Sequence, residues 1–135
     1  MAANSLLASA TQILCVIVYK GEGVTAEMIA SSLKTNPVVV RRILKSLENE
    51  GLVEIRQGRY GGVALKRQPT DITLDDIYRA VEGSDGLFAF RSNGNPRCAV
   101  NNSMKSLLTP VFAATSEAVE KTLKQTTLAQ LTEKI

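Results

Sequence analysis

The sequence predicts a mostly α-helical chain that carries one small β-hairpin and ends in a long helix. Three observations predict it. Apolar residues recur at spacings of three and four over most of the chain, the period of a helix with one buried face. A single stretch, 52–65, switches to β-branched residues set off by glycines. Residues 101–126 keep the helical period, with Pro110 the one breaker inside it.

The first helix spans residues 4–20, where Leu6, Leu7, Ala10, Ile13, Leu14 and Ile17 form one stripe. Asn4 or Ser5 can cap it, and Gly21 with Gly23 ends it. Thr25 then caps a short helix, Ala26 to Leu33, with Ile29 and Leu33 inward. Lys34-Thr35-Asn36 is a tight break. Asn36 followed by Pro37 is a strong helix start, because Asn accepts orphan amide hydrogens and Pro tolerates the first helical position. That helix runs to about Glu50, and Gly51 is its natural left-handed terminator.

Leu52 to Arg56 predicts a strand, 57–62 a glycine-rich turn, and Val63 to Leu65 the returning strand. After a linker at 69–71, Thr73 caps a helix from Leu74 to Glu82, with Asp75 and Asp76 favourable in its first turn. Residues 83–97 are loop-like, with Gly83, Gly86, Gly94 and Pro96. The long helix follows, striped by Met104, Leu108, Val111, Phe112, Thr115, Val119 and Leu123, and Pro110 is a candidate kink. Residues 127–135 predict another turn or two of helix. The expected division is 1–83 as a winged helix-turn-helix domain, 84–100 as a loop and 101–135 as a C-terminal dimerisation helix.

Composition narrows the function. With no histidine and only Cys15 and Cys98, most zinc sites, a Ser-His-Asp triad and a Cys-His dyad are all absent. Two cysteines in 135 residues do not make a secreted disulfide scaffold. Asp75 and Asp76 are adjacent on a helix and do not share a face, so they are no catalytic pair. No enzyme constellation is found, and no metal site or cofactor is expected. The apolar run Leu6 to Tyr19 is too short for a bilayer and lacks the basic start of a signal peptide, which places it inside a cytoplasmic protein.

The net charge is only +3, but it is unevenly placed. Between Lys34 and Arg67, eight basic residues face Glu48, Glu50 and Glu54, a local +5 against −2 for the remainder. A confined basic patch suits a phosphate-bearing partner. The helix from Pro37 concentrates the patch. Val40, Ile43, Leu44 and Leu47 form its apolar face, and Val38, Arg41, Arg42 and Lys45 form another. Two short helices joined by a tight turn, then a glycine-tipped hairpin, make a winged helix-turn-helix, whose second helix enters the DNA major groove. Arg41, Arg42 and Lys45 can then reach phosphates or guanine edges. Arg56 and Arg59 flank the hairpin tip. The glycines at 58, 61 and 62 match no nucleotide-binding loop.

The runs TNPVVVRRILKSLENEGLVEIRQGRYGGVALKR, ITLDDIYRAVEG and NPRCAV resemble the BadM/Rrf2 family of winged-helix regulators, the IscR, NsrR and CymR type. The resemblance covers nearly the whole chain. It implies a homodimer, held by the long C-terminal helix, that binds double-stranded DNA at near-palindromic operators, mostly as a repressor. Residues expected at the DNA are Thr25, Asn36, Pro37, Val38, Val39, Arg41, Arg42 and Lys45, with Arg56, Gly58, Arg59 and Tyr60 in the wing. The alternative is a winged-helix protein-interaction module without DNA binding. Some family members hold an iron–sulfur cluster through three cysteines after the winged helix. Here only Cys98 falls in that segment, which leaves too few thiolates for a cluster in one subunit. Cys98 is a candidate redox thiol, since Arg97 beside it favours the thiolate, or else a residue packed under the dimer helix. Cys15, among apolar neighbours, is expected in the core.

Overall fold

The computed structural model describes residues 4–83, 86–90 and 94–135. The chain order is α1 (Leu6–Lys20), α2 (Ala26–Leu33), α3 (Pro37–Asn49), β1 (Val53–Arg56), β2 (Gly62–Leu65), a 3₁₀ turn (Pro69–Asp71), α4 (Leu74–Glu82), α5 (Ala99–Leu123) and α6 (Leu128–Thr132). Ser84, Asp85 and residues 91–93 of the expected loop lie outside the described residues.

Helix α1 is the central element. It packs against α2, α3, α4, α6 and β2, and its stripe of Ala10, Ile13, Leu14 and Ile17 is buried. Its start differs in detail from the two caps weighed: Ser5 occupies the cap position without a side-chain bond, while Asn4 Oδ1 accepts from the Leu6 amide at 2.9 Å. The core continues through Ile29, Val40, Ile43, Leu44, Leu47, Leu52, Ile72, Ile77 and Leu128. Cys15 is half-buried beside this core, and burial raises its thiol pKa.

The hairpin is antiparallel, pairing Val53 with Leu65 and Ile55 with Val63. It is tied back to the body where the Val63 amide donates to the Val24 carbonyl at 2.7 Å. That contact fixes the wing against the entrance to α2. The close approach explains Gly62, where an added Cβ would lie 2.8 Å from the Val24 carbonyl oxygen.

Helix α5 begins two residues before the expected start and continues through Pro110. It ends at Leu123 rather than near 126, because Thr127 starts a separate helix with its own capping box. Residues 127–135 therefore do not prolong the long helix. Leu128 is fully buried in the core, its amide donates to the Ile72 carbonyl at 2.8 Å, and the Leu74 amide donates to the Thr126 carbonyl at 3.0 Å. These bonds clasp the end of α5 to the start of α4. Ion pairs local to each element lie on either side of the clasp. The buried Asp75 has Arg79 Nε 3.1 Å from its Oδ2, out of line for a hydrogen bond, and Arg79 also reaches Asp76 Oδ1 at 2.9 Å. Just past the end of α5, Lys124 bonds Glu120 at 2.7 Å and holds its carboxyl below the ordinary range.

No side chain of α5 is buried. Two parallel stripes run along it. Leu108, Phe112, Thr115, Val119 and Leu123 are half-buried, and Phe112 meets Phe88 and Phe90 of the preceding loop at ring separations of 5.2 and 5.0 Å. Val100, Met104, Leu107 and Val111 are exposed. Of the residues expected in one stripe, Leu108, Phe112 and Val119 thus turn toward their own chain. Met104 and Val111 turn outward, joined by Val100 and Leu107. No helix among the described residues is long and apolar enough to cross a membrane.

Candidate nucleic-acid interface

The turn between α2 and α3 places the candidate site. Thr25 Oγ1 accepts from the Met28 amide at 3.2 Å and starts α2. Lys34 closes α2 in the left-handed conformation with φ 51°, a strained setting for a non-glycine residue that lets the chain reverse within three residues. Asn36 Oδ1 then accepts from the Val38 amide at 2.8 Å, with Pro37 in the first helical position. Gly51, at φ 76°, ends α3 while the Leu52 amide donates back to the Leu47 carbonyl at 3.0 Å.

Helix α3 divides as its sequence requires. Val40, Ile43, Leu44 and Leu47 are buried, and Val38, Val39, Arg41, Arg42 and Lys45 are exposed. Between its outer face and the wing runs a cleft of about 440 Å³ lined by Arg41, Lys45, Arg56 and Arg59. Four cations thus converge on one groove although they come from residues up to eighteen apart.

The cations are not equivalent. Arg41 is ion-paired to Glu27 of α2, Lys45 to Glu48 at 3.2 Å and Arg56 to Glu54 at 3.2 Å. Glu48 also accepts the Ile55 amide at 3.0 Å, and this bond together with Lys45 holds its carboxyl below the usual range. Glu48 therefore joins α3 to β1. Arg42 and Arg59 make no ion pair among the described residues. Arg59 sits 5.8 Å from the ring centre of Tyr60, which is 91% exposed at the wing tip.

Glu27 lies outside the basic segment from Lys34 to Arg67, so the charge pattern of that segment does not reveal it. Its sequence signal is its place in the first turn of the helix preceding the turn, on the side that a helix-turn-helix brings to α3. Asn36, Pro37 and Thr25 are positioned mainly as helix-starting residues, and Thr25 also lines the cleft. Gly58, at φ 97°, turns the wing tip. Cys98 lies apart from the cleft as the exposed cap residue of α5, where its carbonyl accepts the Asn102 amide at 3.1 Å.

The wing depends on one more glycine. The Gly61 amide donates to the Gly58 carbonyl at 3.0 Å, and a Cβ on Gly61 would fall 2.2 Å from the Arg56 carbonyl oxygen. Gly61→Ala is expected to lower stability by about 1–3 kcal/mol as the tip is forced apart. Urea unfolding against wild type measures it, and an unchanged midpoint would show that the tip reshapes freely.

This arrangement, a two-helix turn with an amphipathic basic second helix and a basic wing, defines a winged-helix transcription regulator. The comparisons agree. The family model for Rrf2, described as an iron-dependent transcriptional regulator, matches residues 4–134. The chain belongs to the Rrf2 family. It is 39% identical over 125 residues to YwnA of Bacillus subtilis (strain 168), a candidate HTH-type transcriptional regulator, across 93% of this chain and 92% of that protein. A crystal structure of a candidate DNA-binding protein superposes with a TM-score of 0.76 at 35% identity, across 94% of this chain and 98% of that one. The structure of CymR, the global cysteine regulator of B. subtilis, superposes with a TM-score of 0.71 over the full chain and 98% of its own, at 22% identity, a likeness of fold alone.

Iron dependence in the family description calls for ligands, and the donors here do not fit a cluster. Cys15 is half-buried in α1, Cys98 caps α5, and the chain has no histidine. The described residues contain no group of three or more His, Cys, Asp or Glu able to hold a metal ion.

Proposed function

We propose that the chain is a homodimeric repressor that binds near-palindromic operators in double-stranded DNA. In this reading α3 enters the major groove, the wing follows the backbone, and the outward stripe of α5 joins two subunits. The observation that carries it is the convergence of Arg41, Lys45, Arg56 and Arg59 on the cleft beside an α3 whose opposite face is buried. Val38 and Val39 are apolar and exposed at the leading end of α3, suited to thymine methyl groups. The absence of a histidine and of any second cysteine near Cys98 supports a regulator that carries no iron–sulfur cluster.

The test is fluorescence anisotropy of a labelled random-sequence duplex over a salt series. Affinity is expected to fall steeply with salt, since each neutralised phosphate releases counterions. Absence of salt-dependent binding would favour the interaction-module reading. A second expectation concerns the cluster. Protein purified without oxygen should hold no stoichiometric iron and sulfide and should lack visible absorbance. Near-stoichiometric iron and sulfide would overturn it.

A further inference from the structure

We propose that the cavity between α1, α2 and α6 binds a small amphipathic anion, a carboxylate carried on an aliphatic body. The site is separate from α3 and the wing, so the proposal does not rest on the nucleic-acid reading.

The cavity holds about 490 Å³, more than the cleft beside α3 and within the range of about 300–1,000 Å³ usual for small-molecule sites. Three helices build it. Cys15 and Val16 come from α1, Leu33 from the end of α2 and Leu131 from α6. Each is half-buried, so apolar surface converges there without closing. Tyr19 and Ile135 also line it while remaining 74% and 71% exposed. Apolar surface left open in this way gains by taking up an apolar body.

Charge selects the other end of the ligand. Lys20 is the only charged side chain lining the cavity, and it makes no ion pair among the described residues. Glu27 shares a neighbouring groove with Lys20 but is held by Arg41. The Cys15 thiol, pushed up by burial, stays neutral and adds no competing anion. Gln12 and Ser32 supply further polar atoms. An apolar wall with one cation and a few polar groups suits an amphipathic anion. Lys20 also lies in the last turn of α1, where a cation favours the helix dipole. That role would move stability without setting a preference between anionic and cationic ligands of equal length. Charge preference therefore separates the two roles.

The experiment uses the full chain carrying Cys98→Ser, which leaves Cys15 as the one thiol and a reporter inside the cavity. The probes are octanoate, hexanoate and octylammonium. The readout is the rate at which N-ethylmaleimide labels Cys15 in the folded protein. Saturating octanoate should slow labelling about fivefold or more, with half of the effect at about 1 mM. Hexanoate should need about tenfold more, since each buried methylene strengthens binding about fourfold. Octylammonium should need about tenfold more than octanoate, because its charge is repelled rather than attracted. Lys20→Gln should weaken octanoate about three- to fivefold and leave octylammonium no weaker. Ser32→Trp, at an exposed position whose larger side chain would fill the cavity, should remove protection by every probe. Circular dichroism checks the fold of each variant, and calorimetric titration of octanoate should give the same affinity without using the thiol. Labelling unmoved by octanoate up to about 20 mM, equal protection by octanoate and octylammonium, or protection that survives Ser32→Trp would each overturn the proposal. So would labelling that is slow without ligand and becomes fast once Leu107→Glu and Val111→Glu are added, because a second copy would then cover the cavity.

Discussion

Arg42→Ala combined with Arg59→Ala is expected to lower duplex affinity by about 2–6 kcal/mol per half-site, from two contacts worth about 1–3 kcal/mol each. These two arginines are singled out by what surrounds them. Arg41, Lys45 and Arg56 each already hold a carboxylate, whereas Arg42 and Arg59 hold none among the described residues. Their full charge is available to DNA. Both are exposed, so the double variant should fold within about 0.5 kcal/mol of wild type, the usual range for surface substitutions. The two sites should also differ in kind. An α3 residue that reads a base edge loses preference at one position when truncated, while a wing residue on the backbone weakens all sequences alike. Lys45→Ala should cost less than Arg42→Ala, since Glu48 already partly neutralises Lys45. Anisotropy on preferred and random duplexes measures all three variants. A folded double variant that binds as wild type does would remove α3 and the wing from the interface.

A second large effect is expected at α5. Leu107→Glu with Val111→Glu should convert a dimer of twice 14.6 kDa into a monomer in sedimentation at micromolar concentration. A 25-residue helix with no buried side chain, and with Val100, Met104, Leu107 and Val111 all exposed, presents more apolar surface than a lone helix normally leaves in water. Burying an aliphatic side chain is worth about 1.5–3 kcal/mol, and a two-fold interface counts each substitution twice, so about 6 kcal/mol or more is at stake. The monomer should stay folded, because the core lies in α1–α4, β1, β2 and α6 and neither residue touches it. It should also bind DNA far more weakly, having lost one of two half-sites. A wild-type chain that sediments as a monomer would sink this prediction at once. Leu108→Glu is the informative contrast: Leu108 is half-buried against its own chain, so its replacement should act on stability as well as on assembly.

The sequence alone determined the winged helix. Its signals are local and mutually consistent. Asn36-Pro37 starts α3, Gly51 ends it, the aliphatic positions at helical spacing choose the buried face, and the glycines at 58, 61 and 62 allow a tight wing. Each depends on dihedral preference or on burial periodicity within a few residues, so each is legible in one dimension. The same holds for Thr73 at the start of α4. What only the tertiary structure decided involves residues far apart in the chain. Glu27 and Arg41 are fourteen positions apart, and their pairing follows from the angle at which α2 meets α3. Leu128 reads like an extension of the long helix until the Ile72 carbonyl accepts its amide and the core offers it a site. The stripe of α5 carries apolar residues over a face too wide for its period to divide. Phe88 and Phe90, folding back on Phe112, decide which half serves the chain itself and which half is left for a neighbour.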